Sequence, residues 1–261
     1  MSAARKAHTK KPPVVMIHGA FCGGWAFEGL KTKFQQAGYD VIVPCLRFHD
    51  AVPPPVALGT TGLADYVADL EEEIAALDAP PILVGHSMGG LLAQILATRR
   101  PARALVLLAP SAPWGVPPST LFEIGAAQAL NLNPGYWNQV LEPSRDVALA
   151  HSIDKLPRET RDAVFARFTC ESGRATFEIL NWGLDMNRAS EVDHAKITCP
   201  VLLLTGSEDR INPPTTVMRI AALYRDNATN EVLPGMGHWL IGEPGWEALA
   251  ARALAWLEDK R

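Results

Sequence analysis

Residues 80–100 read PPILVGHSMGGLLAQILATRR, and the fold follows from how they are parsed. Ile82-Leu83-Val84 is a short apolar run of the kind buried in a sheet, while Leu91-Leu92 and Ile95-Leu96 recur at helical spacing. Between them stands Gly85-His86-Ser87-Met88-Gly89-Gly90. A Gly-x-Ser-x-Gly pattern between a strand and a helix is a nucleophile elbow, a sharp turn that holds a serine hydroxyl above the strand's end. With Ser87 in a strained, positive-φ turn, side chains two positions away would meet the opposing backbone, which accounts for Gly85 and Gly89. The helix starting near Met88 would direct its free N–H groups and positive dipole end at the serine.

Working outward, strand and helix alternate. Val14–Ile17 is an apolar, β-branched run suited to a sheet covered on both faces. A helix is expected over Trp25–Ala37, a strand over Asp40–Pro44 and a helix over Thr61–Leu77. Strands over Ile82–Gly85 and Ala104–Leu108 flank the helix that ends before Pro101. From Ser111 to Ser190 no convincing strand appears; helices are expected over Ser119–Leu130, Pro143–Ser152, Arg158–Phe168 and Arg174–Trp182. The alternation resumes with a strand over Cys199–Gly206, a helix over Pro214–Tyr224, a strand over Glu231–Leu233 and a helix over Pro244–Leu257. The expected fold class is α/β, with a mostly parallel six-stranded sheet, helices on both faces and an all-helical cap insertion. Residues 14–110 and 191–261 form its core, 111–190 the cap and 1–13 a flexible tail.

The 261 residues are 48% hydrophobic, enough for a sizeable core. A formal charge of −4 gives no basic excess, so neither nucleic acid nor an anionic membrane is indicated. Residues 1–13 are polar and basic, without the apolar stretch of a secretory signal. No run approaches the roughly 18 apolar residues of a membrane span. Cys22, Cys45, Cys170 and Cys199 form no C-x-x-C pair, which points to buried free thiols and a reducing, cytoplasmic setting. A small-molecule partner is expected, and a homodimer is compatible with the sequence. Nothing calls for a metal or organic cofactor.

A serine nucleophile needs a base, commonly a histidine oriented by a carboxylate. Among seven histidines, His238 alone follows a strand end in a glycine-rich loop that could turn it toward the elbow. His86 is expected to point elsewhere, and His49, His151 and His194 to stand apart. The carboxylate should also lie past a strand end. Asp209, three residues after Gly206, qualifies, and spacing does not separate it from Glu208. An oxyanion hole needs two N–H donors. Met88 supplies one; the other belongs to the loop after the first strand, with Ala20 preferred and Phe21 the alternative.

His18-Gly19-Ala20-x-x-Gly23-x-Trp25, Gly85–Gly90, Gly206-x-x-Asp209-x-x-x-Pro213 and Gly237-His238 together resemble the α/β-hydrolase superfamily over Val14–Leu257. The first motif is similar to that of plant methyl-ester hydrolases and hydroxynitrile lyases, the elbow to that of bacterial esterases. The resemblance implies the chain order Ser87, Asp209, His238 for the triad and hence favours Asp209. The short segment before Val14 implies that the superfamily's antiparallel N-terminal hairpin is missing. The expected activity is hydrolysis of a small apolar or aromatic ester through an acyl-enzyme. The same triad could serve a C–C hydrolase, lyase or acyltransferase, or the fold could serve as a small-molecule receptor.

Overall fold

The computed structural model describes residues 11–260. In chain order the strands are β1 (Val14–Ile17), β2 (Val41–Ile42), β3 (Ile82–His86), β4 (Ala104–Leu108), β5 (Val140–Leu141), β6 (Glu171–Ser172), β7 (Val201–Gly206) and β8 (Ala228–Leu233). The helices are α1 (Glu28–Gln36), α2 (Leu63–Ala75), α3 (Met88–Arg99), α4 (Leu121–Asn131), α5 (Arg145–Val147), α6 (Arg158–Phe165), α7 (Gly173–Leu180), α8 (Pro214–Leu223) and α9 (Trp246–Asp259). Six strands make one sheet in the order β2-β1-β3-β4-β7-β8, with every neighbouring pair parallel. The chain moves from β1 to one side and then returns to β3 on the other. This reversal opens a crevice at the carboxyl ends of β1 and β3, where ligands collect in open α/β sheets.

Period-two alternation divides the strand residues between two cores. Val14, Met16, Val84, Val106, Leu202 and Leu204 pack with residues of α1 and α9. Val15, Ile17, Leu83, Leu105, Leu107 and Leu203 pack with α2, α3 and α8. Both sides of each strand are therefore covered, and the near-continuous apolar runs follow from that. α3 lies deepest: residues Met88 to Ala97 are all buried, and all are apolar or small except Gln94, whose amide donates to the Gly90 carbonyl and accepts from the Tyr224 hydroxyl.

The differences from expectation have local causes. β2 is shortened to two residues because Pro44 has no N–H for the ladder. β8 starts three residues early, at Ala228; its polar Thr229 and Asn230 are tolerated on a half-buried edge strand. The first helix enters through a 3-10 turn at Gly24–Phe27, and the last starts at Trp246 after Gly245 at φ 104°. The stretch expected to be all-helical consists of short helices and connecting loops and also holds a two-residue antiparallel ladder of β5 with β6, too short to register as period-two patterning. Residues 1–10 of the expected tail lie outside the described residues. Lys11 is held by the Ala37 carbonyl at 2.7 Å and Glu258 at 2.8 Å, and Pro13 accepts a hydrogen bond from Ile82. The cysteines are free, but only Cys22 is buried; Cys45 is exposed, and Cys170 and Cys199 are half-buried in loops entering strands.

The elbow is the tightest point of the core. A Cβ on Gly89 would stand 2.1 Å from the Ile17 carbonyl oxygen and 2.5 Å from that of His18; one on Gly125, in α4, would meet nothing within 4 Å. Gly89→Ala should cost about 3 kcal/mol or more, whereas Gly125→Ala should gain about 0.5–1 kcal/mol. Urea unfolding of the two variants measures this, and similar values for both would refute the close approach.

Candidate active site

Ser87 joins β3 to α3 at φ 53° and ψ −120°, a conformation that an L-residue adopts only when its surroundings enforce it. Its N–H donates to Leu108 at 3.0 Å, and its carbonyl accepts from Gly90, Leu91 and Ser111. The first turn of α3 and the end of β4 thus pin the elbow together. A Cβ on Gly85 would sit 2.3 Å from the Gly89 carbonyl oxygen, so this glycine too is required by a close approach.

His238 follows β8 and Asp209 follows β7, whose ends are brought level by the pairing of Gly206 with Leu233. His238 Nε2 lies 3.1 Å from Ser87 Oγ and His238 Nδ1 lies 2.9 Å from Asp209 Oδ2. An ionised Asp209 only accepts, so Nδ1 carries the proton and Nε2 is left to accept from the serine hydroxyl. Asp209 Oδ1 also accepts from Ile211 and Asn212 at 2.8 and 2.9 Å, which fixes the carboxylate in place. Asp209 is therefore both turn cap and histidine partner. Glu208 points outward to an ion pair with Lys155.

Ala20, Phe21 and Met88 line the same cavity as Ser87 and His238. Phe21 sits at φ 59°, and its N–H donates to Glu171 Oε2 at 3.2 Å. Its donor is thus committed to a carboxylate, while Met88 opens α3 directly behind Ser87.

Several supporting residues escaped the sequence reading. His86 does not point away: its Nε2–H donates to the His238 carbonyl at 2.8 Å, with the two rings 4.9 Å apart. Burial, and then the neighbouring His238, push its pKa down to about 3, so it is a neutral donor. His18 is likewise lowered to about 4, by burial first; it accepts from Leu46 and donates to Gly19. Asn212 donates to the Ala109 carbonyl at 2.8 Å, tying the Asp209 loop to the end of β4. Glu243 accepts from Gly237 at 2.6 Å and so holds the residue beside His238; burial pushes its pKa up to about 7. His49, expected to stand apart, is buried against Glu171 at 3.0 Å. His18 and His86 stand within short motifs, but the partners that fix their roles, Leu46 and His238, lie 28 and 152 residues away; Asn212, Glu243 and His49 belong to no such motif.

The cavity over Ser87 measures about 750 Å³. Its far walls come from residues 111–190, including Phe122, Ile124, Leu141, Val147, Ile179 and Trp182. No lysine or arginine among the described residues lines it. The aromatics of this segment divide: Phe122, Phe168 and Trp182 reach the cavity, whereas Trp137 and Phe177 pack with Tyr136. No group of three or more His, Cys, Asp or Glu among the described residues is placed to hold a metal ion. No described helix is long and apolar enough to cross a membrane.

A family model described as "Alpha/beta hydrolase family" matches residues 14–252. The chain belongs to that family. Human monoglyceride lipase is 32% identical over 217 residues, covering 78% of this chain and 67% of the lipase. Pimeloyl-[acyl-carrier protein] methyl ester esterase of Neisseria meningitidis is 29% identical over 214 residues, covering 77% and 76%. Among solved structures, a monoacylglycerol lipase from Paleococcus ferrophilus superposes with TM-score 0.69 at 24% identity, over 96% of both chains. A methylesterase from Arabidopsis reaches 0.72 at 16% identity, over 95% and 99%. Within its family the chain is a carboxylic ester hydrolase.

Glu243 yields a test of these surroundings. Its carboxyl ionises near 4.5 in the free chain and near 7 in the fold, so between those values the folded state keeps a proton that the unfolded chain has lost. Its contribution to stability therefore falls as pH rises through that window. Gln has no proton to lose, so Glu243→Gln should gain stability relative to wild type between pH 5 and pH 8, measured by urea unfolding. A pH-independent difference would count against a buried carboxyl behind His238.

Proposed function

We propose that the protein is a serine carboxylesterase for neutral esters with a substantial apolar acyl or alcohol group, with Ser87 as nucleophile, His238 as base and Asp209 as its orienting carboxylate. The observation that carries this reading is the Ser87–His238–Asp209 hydrogen-bond chain, at 3.1 and 2.9 Å, opening into an apolar cavity of about 750 Å³. Ser87 Oγ attacks the ester carbonyl as its proton passes to His238 Nε2, and the imidazolium that forms is stabilised by Asp209. The developing oxyanion is met by the N–H groups of Ala20 and Met88, each typically worth about 3 kcal/mol. Ala20 is preferred because the Phe21 N–H is engaged by Glu171. His238 returns the proton to the leaving alcohol, then activates water to cleave the acyl-enzyme.

Residues 111–190 act in this reading as the cap that supplies the substrate's apolar surroundings. Leu141, Val147 and Ile179 are suited to an alkyl chain, and Phe122 and Trp182 to either an alkyl or an aromatic group. A carboxylate in this cavity would have no lysine or arginine partner, and Glu123 and Glu142 at its wall would repel it. Neutral esters are favoured for that reason over acids or carboxylate-bearing lyase substrates. Monoglyceride lipase, a relative, is named for a neutral lipid ester. Four free thiols fit a reducing, cytoplasmic setting.

Ser87→Ala and His238→Ala should each reduce kcat on p-nitrophenyl butyrate on the order of a millionfold, with the double variant no worse, since such residues act as a unit. Asp209→Asn should lose about ten-thousandfold, whereas Glu208→Gln should hardly change. Additive losses, or the opposite ranking of the two acids, would reassign the roles. A wild type that binds the ester without releasing p-nitrophenol above the Ser87→Ala background would instead support a receptor.

The charge argument has its own test. The kcat/KM for p-nitrophenyl octanoate should exceed that for the p-nitrophenyl monoester of a dicarboxylic acid of equal length by at least about tenfold. Parity between the two would remove the preference for neutral esters.

A further inference from the structure

Glu171 has no part in the triad, yet it is fully buried and its carboxylate receives four donors. Oε2 accepts from the Phe21 N–H at 3.2 Å and lies 3.0 Å from His49 Nε2. Oε1 accepts from the Tyr66 hydroxyl at 2.8 Å and the Ser172 N–H at 2.7 Å. His49 Nδ1 faces the Arg47 carbonyl at 3.1 Å, so both ring nitrogens face acceptors and the imidazolium form fits the site. Burial opposes that charge, but Glu171 outweighs it and holds the His49 pKa above its ordinary value.

The clamp closes on one residue of the loop after β1. Phe21 stands at φ 59°, in the left-handed region that a bulky residue enters only when held there. Its N–H is bound by Glu171, and its carbonyl accepts from the Thr169 N–H at 2.9 Å. Residues 169 and 171, in the segment that also walls the cavity, therefore grip both polar groups of Phe21. The grip is itself anchored, because Ser172 donates through its hydroxyl to the Thr61 carbonyl at 2.5 Å.

We propose that Glu171 is a positioning residue for the oxyanion hole: by holding Phe21 in its left-handed turn, it aims the preceding N–H, that of Ala20, at the carbonyl oxygen of a substrate on Ser87. The inference rests on the esterase reading above and adds to it a link between cap and catalysis. The segment that encloses the substrate also sets the oxyanion donor, so the hole is complete only when residues 169–172 are docked. A carboxylate is required here. Were either oxygen replaced by an amide NH₂, that group would face a backbone N–H, of Phe21 or of Ser172, which cannot turn to accept.

Glu171→Gln and Glu171→Asp, the second keeping the charge but withdrawing it by one carbon, are compared with wild type on p-nitrophenyl butyrate after circular dichroism identifies which are folded. The expected result for each folded variant is a loss of kcat of about tenfold to a hundredfold, with KM changed little. An octyl trifluoromethyl ketone, to which Ser87 adds to leave an oxyanion on the former carbonyl oxygen, should lose affinity in parallel. A purely structural role would lower thermal stability without that selective weakening. A folded variant with wild-type kcat, a loss carried by KM, or undiminished affinity for the ketone would overturn this inference alone. Absence of Ser87-dependent turnover in the wild type would overturn the esterase reading and this inference with it.

Discussion

The close approach of α3 to β1 at the elbow is the constraint on which the rest of the structure depends. With hydrogen in place of a side chain at Gly89, the first turn of the helix lies against the carbonyl oxygens of Ile17 and His18. That contact accompanies the positive-φ turn at Ser87 and brings the loop after β1 beside it, where a Cβ on Gly19 would stand only 3.1 Å from Ser87 Cβ. Ser87 and the loop after β1 are thus positioned by one packing event. The strain at Ser87, on the order of 1–3 kcal/mol, is sustained by backbone bonds to β4 and to Ser111.

Around this point each functional group is held by residues that do no chemistry themselves. Asp209 is fixed by two backbone N–H groups, and His238 by the His86 donor on its own carbonyl and by Glu243 on its neighbour. Phe21 is fixed by Glu171 and Thr169. Buried hydrogen bonds of this kind are strong because no water competes for them, and a side chain so held spends little time out of position. Such a site costs little reorganisation when charge moves through it.

The elbow was legible because its requirements are local: a strand, two glycines, a serine and a helix within about twenty residues. The strands β1, β3, β4 and β7 were legible because a sheet covered on both faces needs continuous apolar runs. His238 could be found because it follows a strand directly; the same rule offered Asp209 and Glu208 alike, and only the fold separates them, Asp209 against His238 and Glu208 against Lys155. β2 and β8 were misjudged at their ends because edge strands obey weaker rules: Pro44 stops one, and polar Thr229 and Asn230 are admitted to the other. Glu171 and Glu243 were missed because nothing near them in sequence distinguishes a buried carboxylate from a solvated one. The Phe21, Tyr66 and His49 partners of Glu171 lie 105 to 150 residues away along the chain, and the burial of Glu243 is decided by the fold around it.

The sequence by itself determined the α/β alternation and the elbow, since each rests on periodicity or on residue types adjacent in the chain; the order Ser87, Asp209, His238 came from the resemblance to the α/β-hydrolase superfamily, because spacing left Asp209 and Glu208 equal. Only the tertiary structure decided which groups hold the loop after β1, which aromatics of residues 111–190 face the cavity and which pack among themselves, and that the cavity wall carries no lysine or arginine among the described residues. The physical reason is one of range. Helix and strand preferences act over a few residues, whereas the burial of a charge and the lining of a cavity depend on segments that meet only when the chain has folded.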